Sequence, residues 1–284
     1  MKKITAIIAL FLAVALSLAS CSAPTVEISE DGYWVIDGEK TDVLAKGEKG
    51  DKGDAGVAGA ENPLGLAFFP KDDGTYVVEV GNAKYLSNIV IPATYNGKAV
   101  TEIGASAFQN CASLASVTIP SGVTSIGGGA FYGCTSLSSV TIPDSVTSIG
   151  GTAFSGCESL ASVTIPDGVT SIGVGTFYGC TSLASVTIPS SVTSIGDRAF
   201  RGCTSLKSVT IPEGVTEIGD HAFWGCESLV SVTIPSSVTS IGYEAFFNCT
   251  SLTDVYYTGS EEQWLDAYTP YIGSFTIHYN YSPS

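Results

Sequence analysis

The side chains of this 284-residue chain that most readily do chemistry are eight cysteines, two histidines and a large stock of serines. Paired cysteines close disulfides, and a Cys-x-x-Cys spacing holds zinc or exchanges electrons. No Cys-x-x-Cys occurs here. Cys111, Cys134, Cys157, Cys180, Cys203, Cys226 and Cys249 instead stand 23 residues apart. Stacked coils bring such a column to about 5 Å, a span a disulfide tolerates. Seven is an odd number, however, and pairing would distort a regular ladder. The spacing predicts buried, reduced thiols packed as small apolar groups. Asp220-His221 beside a serine is no nucleophile–base signature in a chain where serine recurs in every unit. Asp72-Asp73 falls in a turn, where aspartate serves the backbone. No catalytic residue, metal site or cofactor is predicted.

Variable positions between fixed columns are the other candidates. After each phenylalanine of the 23-residue column come Gln109, Tyr132, Ser155, Tyr178, Arg201, Trp224 and Phe247. After each glycine of a second column come pairs that include Asp197-Arg198, Asp220-His221 and Tyr243-Glu244. Both sets are expected to face away from the core. Aromatic residues and arginine anchor protein interfaces, so Tyr132, Tyr178, Arg201, Trp224 and Phe247, with Arg198, His221 and Tyr243 alongside, form the candidate partner-binding surface. Tyr178 and Trp224 also have the chemistry to stack on sugar rings.

The elements that position these residues follow from the period. Phe108 to Phe246, Leu114 to Leu252, Val100 to Val238 and Ile103 to Ile241 keep the same 23-residue step, the signature of a solenoid. In Leu114-Ala-Ser-Val117-Thr-Ile119, Val117 and Ile119 share one strand face while Ser116 and Thr118 share the other. Pro120 has no N–H for a further ladder bond and ends the strand. Val123 and Ile126 point inward from a second extended segment, Gly127 is expected to take a positive φ at the corner, and Ala130-Phe131 to lie on a helical turn. One unit buries too little apolar surface to offset its ordering entropy, so the units must stack.

The fuller consensus, with T-I-P, V-T-x-I-G and A-F-x-x-C, resembles the BspA-like leucine-rich repeats of bacterial surface proteins over roughly residues 64–280. The resemblance implies an α/β fold: a right-handed leucine-rich-repeat solenoid with a parallel β-sheet on its concave face. An N-terminal β-hairpin, Leu66–Phe69 with Tyr76–Val80, is expected to cap the first coil. The first unit carries five extra residues, with Ala93–Gly97 as a longer turn. At the other end Ser260-Glu261-Glu262-Gln263 reads as a capping box opening a short helix, followed by a closing strand over Phe275–Tyr279.

The amino terminus reads differently. Lys2 and Lys3 precede an apolar run too short to span a bilayer, ending in Leu18-Ala19-Ser20-Cys21. This resembles a bacterial lipobox, which implies a signal peptide over 1–20, cleavage before Cys21 and lipidation of its thiol, with Ser22 favouring the outer membrane. Residues 21–46 read as a lipid-anchored segment with a small β-meander around two Asp-Gly turns. Residues 47–61 carry glycine at 47, 50, 53, 56 and 59, a collagen-like Gly-X-Y spacer. The solenoid with its N-terminal cap is assigned to 62–258 and the C-terminal cap to 259–284.

Charge narrows the function. The chain has a formal charge of −15, falling to −17 without residues 1–20, and no Lys or Arg lies between Lys98 and Arg198. Such a surface repels phosphate backbones, so no nucleic-acid partner is expected. The expectation is a monomeric, non-enzymatic scaffold at the bacterial cell surface or outer membrane, touching the membrane only through its lipid. It would adhere to host or neighbouring-cell proteins. The alternative is a surface glycan-binding protein assisting carbohydrate uptake.

Overall fold

The computed structural model describes residues 26–28, 33–36, 39–44, 65–81, 83–267 and 275–282. The expected signal peptide, Cys21 and the Gly-X-Y tract lie outside them. The chain divides into two units, residues 1–55 and 56–284. In the first, β1 (Val26–Ile28), β2 (Tyr33–Ile36) and β3 (Glu39–Leu44) form an antiparallel sheet in the order β1-β2-β3.

The second unit is a parallel β-solenoid. It opens on an antiparallel hairpin of β4 (Ala67–Pro70) and β5 (Tyr76–Glu79). β5 then pairs in parallel with β8 (Lys98–Ile103). After β6 (Asn88–Val90), the extra residues of the first unit fold as a tight hairpin between β7 (Thr94–Tyr95) and β8. Its turn is Asn96-Gly97, both with positive φ, as a two-residue turn matched to strand twist requires.

From there each coil contributes a three- or four-residue strand and a two-residue strand; successive coils pair in 23-residue register, with the ladders interrupted between Ser139–Thr141 and Ser162–Thr164, between Ser148–Ile149 and Ser171–Ile172, and between Ser185–Thr187 and Ser208–Thr210. Ser116, Val117 and Thr118 face Ser139, Val140 and Thr141; Ser125 and Ile126 face Ser148 and Ile149. The phenylalanines of the column are fully buried and stack with centroids 5.2–5.6 Å apart and planes within 3–11° of parallel. Leucine, valine, isoleucine and cysteine columns complete a continuous core.

The Ala-Phe side of the coil differs from the expected helical turn. Successive i to i+3 bonds, Ala130 N–H to Gly127 and Tyr132 N–H to Gly129, give tight turns rather than a helix. Alternate residues also bond the next coil: Phe108 N–H to Ala130 and Asn110 N–H to Tyr132, then Phe131 to Ala153 and Gly133 to Ser155. A helix would spend those N–H groups internally and leave the coils unbonded on this side. Gly127 is also reassigned. Positive φ falls at Gly129 (62°) and Gly133 (69°), not at Gly127. Gly127 is needed for closeness instead, since a Cβ there would lie 2.5 Å from the backbone nitrogen of Ala105.

The C-terminal cap is built as a strand, Asp254–Tyr257, then helix α1 (Glu261–Ala267), then a strand, Thr276–His278, parallel to the first. The capping box is reciprocal: Gln263 N–H donates to Ser260 Oγ at 3.2 Å and Ser260 N–H to Gln263 Oε1 at 2.9 Å. Trp264 and Tyr257 close the end of the core, their rings edge to face at 5.2 Å.

Candidate functional site

The residue after each buried phenylalanine sits on the backbone ladder between coils. The carbonyls of Tyr132, Ser155, Tyr178, Arg201 and Trp224 accept N–H donors from Asn110, Gly133, Gly156, Gly179 and Gly202 at 2.7–2.8 Å. The residue following each ladder position takes a positive φ and is Gly in the middle coils, Asn at Asn110 and Asn248. Alternation puts phenylalanine inward and its successor outward, so the stripe side chains leave the surface at fixed intervals.

Four of them form one stack. Arg201 lies between two rings, its guanidinium carbon 5.8 Å from the Tyr178 centroid and 4.3 Å from that of Trp224. Trp224 continues to Phe247 at 6.4 Å and 24°. The guanidinium is more weakly hydrated than an ammonium and stacks on aromatic faces. Among the described residues no carboxylate forms an ion pair with Arg201. Tyr178 and Phe247 are 41% and 37% exposed, so the stack presents ring edges and N–H donors to solvent while its inner faces are occupied. Tyr132, 42% exposed, stands one coil beyond Ser155. Ser155 departs from expectation: it is only 4% exposed, because its side chain is the shortest in the stripe and lies below the level of the flanking tyrosines.

Arg198, His221 and Tyr243 form a neighbouring cluster rather than part of the stack. Arg198 is exposed, and Arg198, His221 and Glu244 all take positive φ of 51–56°. His221 Nε2 lies 3.3 Å from Glu244 Oε2, and its ring meets Tyr243 edge to face at 5.6 Å. The Nδ1 atom is buried without a hydrogen-bond partner. Asp197 and Asp220, which the sequence marks only as outward variable positions, use their carboxylates to bind backbone of the next coil. Asp220 N–H donates to Asp197 Oδ1 at 2.9 Å, and Tyr243 N–H to Asp220 Oδ1 at 2.7 Å. The signal was present: this column is Gly128, Gly151 and Val174 before it turns to aspartate.

The remaining features offer less. A shallow depression of about 390 Å³ lies at the C-terminal end between Asp220, Tyr243 and Asp266. Among the described residues no group of three or more His, Cys, Asp or Glu is placed to hold a metal ion. No helix among them is long and apolar enough to cross a membrane. The threonine column over Thr124 to Thr239 is partly spent on backbone: Thr124, Thr147, Thr193, Thr216 and Thr239 each donate to a carbonyl one coil back at 3.1–3.4 Å.

Comparison with known proteins gives the family. No curated protein matches the chain. Among solved structures, a leucine rich repeat protein of T. pallidum is 35% identical, over 66% of this chain and 87% of that one, with a TM-score of 0.61. A leucine-rich repeat protein of Bacteroides ovatus is 27% identical over 68% and 70%, with a TM-score of 0.46. A leucine rich cell surface protein of Faecalibacterium prausnitzii is 28% identical over 75% and 98%, with a TM-score of 0.38. The model of the BspA type leucine rich repeat region matches six copies over residues 82–203 and 170–266. With its 23-residue coils and parallel ladders, the chain belongs to the BspA type leucine rich repeat family.

Proposed function

We propose that this protein is a surface-displayed binding scaffold, without enzymatic activity, that engages a partner protein through the Tyr178–Arg201–Trp224–Phe247 stack. The observation that carries this reading is Arg201. Its guanidinium is held between two rings with no carboxylate paired to it, so its N–H edge is oriented before any partner arrives. Preorganisation of this kind lowers the ordering cost of binding. Arg198, His221 and Tyr243 border the stack and extend the same contact surface.

The reading includes an address. Lipidation at Cys21 after removal of residues 1–20 anchors a monomer to the outer membrane, and residues 47–61 space the solenoid from it. Adhesion to host or neighbouring-cell proteins follows from that placement. Glycan capture for uptake is the second reading. Sugars stack on open ring faces, whereas the Tyr178 and Trp224 faces toward Arg201 are covered, which favours the protein reading.

A panel of extracellular matrix proteins beside a glycan array tests the stripe, with wild type, Arg201→Ala, Trp224→Ala and the distant Thr187→Ala. The reading expects saturable binding to a protein, weakened about tenfold or more in the two stripe variants and unchanged in Thr187→Ala. Binding to glycans alone, or protein binding indifferent to both stripe variants, overturns it. Mass spectrometry of the mature amino terminus tests the anchor, with Cys21→Ser expected to release the protein from the membrane.

A further inference from the structure

Both arginines of the chain, Arg198 and Arg201, lie in one tight turn, where Arg201 N–H bonds the Arg198 carbonyl at 3.1 Å. With Lys207 on the same coil, and apart from the two histidines, they are the only basic side chains after Lys98. Charge therefore changes sign here. Residues 190–212, one coil, hold these three cations against Asp197, a net of +2. The coil before, residues 167–189, stands at −1, and the coil after, residues 213–235, at −4.

The acids beside this turn are engaged elsewhere. Asp197 Oδ1 accepts the Asp220 N–H at 2.9 Å, and Asp220 Oδ1 the Tyr243 N–H at 2.7 Å. Glu244 Oε2 lies 3.3 Å from His221 Nε2. Among the described residues, the Arg201 side chain makes no hydrogen bond or ion pair. Its contacts are the two rings, Trp224 at 4.3 Å and Tyr178 at 5.8 Å from the guanidinium carbon.

This arrangement selects a kind of ligand. A guanidinium carries its five N–H donors around a rigid planar rim, and the rim matches the two oxygens of a carboxylate. Rings flanking the group leave the rim as its open side. A carboxylate meets it with two parallel charge-assisted bonds. A phosphate brings about twice the charge towards the −4 coil alongside and is disfavoured by it. A neutral group leaves the only positively charged coil of this part of the solenoid without a counter-charge.

We propose that Arg201, held by Tyr178 and Trp224 and backed by Arg198, receives a single aspartate or glutamate side chain of the partner protein. The proposal rests on the stripe being the contact surface and names the chemistry that its centre recognises. The charge pattern also sets a limit. A segment with one acid among neutral residues fits the +2 coil, whereas a run of acids extends onto the −4 coil and is repelled.

The site is tested on the full chain with model ligands, so its failure and the failure of the adhesion reading are separable. Isotope-labelled protein is titrated with a blocked neutral peptide carrying one glutamate and with its glutamine twin. The side-chain N–H signals of Arg198, Arg201 and Trp224 are followed by NMR, in a chain with two arginines and three tryptophans. The expected result is a saturable shift at Arg201 and Trp224 with the glutamate peptide and binding about tenfold weaker or less with glutamine. Arg201→Lys keeps the charge but loses the fork, and should weaken glutamate binding by about tenfold; Arg201→Gln should abolish it. Equal binding of the two peptides, no shift at Arg201, or undiminished binding by a folded Arg201→Lys or Arg201→Gln would each overturn the proposal. So would tighter binding of a phosphoserine twin or of glucuronic acid, which would assign the rim to a phosphate or an acidic sugar. Glutamate binding without any binding to matrix proteins would keep this site and sink the adhesion reading alone.

Discussion

The thiol of Cys180 lies 3.1 Å from the backbone carbonyl oxygen of Phe154, one coil earlier in the solenoid. The same S–H to carbonyl contact links Cys134, Cys157, Cys203, Cys226 and Cys249 to the phenylalanines 26 residues before them, at 3.0–3.2 Å. Each of those carbonyls, from Phe108 to Phe223, also accepts the N–H of its own coil's cysteine. The column is thus both packing and an inter-coil tether, with thiols in place of a disulfide framework. Removing one thiol leaves its carbonyl acceptor satisfied but deletes a donor and opens a small void. Cys180→Ala is expected to cost about 1–2 kcal/mol, read as a lower midpoint in denaturant with an unchanged slope. A cost near zero would show the contact to be incidental.

Alkaline pH should unfold the protein through the same column. Burial pushes the thiols of Cys157 and Cys203 up to about 12 from 9.0, and raises those of Cys180 and Cys226 well above 9.0 too. Unfolded thiols ionise first, so the stability these groups confer is full below pH 9 and is lost as pH rises toward 12. By pH 10.5 the loss is on the order of 2 kcal/mol for Cys157 and again for Cys203. Melting curves from pH 8 to 11 should show the decline. Cys157→Ala/Cys203→Ala should make it shallower, with Cys180 and Cys226 keeping the remainder; an equally steep decline in that variant would assign the effect elsewhere.

Two glycines of different columns should differ sharply in their response to substitution. Gly127→Ala places a methyl group against the Ala105 backbone and is expected to cost about 3 kcal/mol. Gly225 has a φ of 71°, and a Cβ there meets nothing within 4 Å. Asparagine holds the equivalent φ at Asn110 and Asn248, so Gly225→Asn should stay within about 1 kcal/mol of wild type. Calorimetry of both variants checks the contrast.

The reciprocal cap at α1 predicts a local effect. Ser260→Ala removes the acceptor for Gln263 N–H and should cost about 1 kcal/mol. Faster hydrogen exchange should be confined to the residues after Tyr257, with the central coils unaffected.

Much of this architecture was legible because a 23-residue period fixes which residues are equivalent. It identified Phe108 to Phe246 as core, and the capping box at Ser260 by its own spacing. Equivalence does not say what backbone joins the columns, so tight turns bonded coil to coil read as a helical turn, and Gly127 read as a corner. Nor does it say what a short side chain does between long ones. Ser155 belongs to an outward column yet is covered, because Tyr132 and Tyr178 overtop it. The Arg201 stack was half visible: the column aligned Tyr178, Arg201 and Trp224, but only the roughly 5 Å step between coils brings the rings to both faces of the guanidinium.

That step has a consequence for how such a chain can change length. The central coils carry one repeated seam: a Ser-Val-Thr strand in each, set face to face where the strands pair, and a carbonyl that accepts the next thiol. Excising residues 139–161 would bring Val163 opposite Val117 and leave both caps untouched. The solenoid would lose one increment, and Tyr178 would come to stand beside Tyr132. Gene recombination in units of 69 bases can therefore redraw the order of outward side chains without rebuilding the protein that carries them.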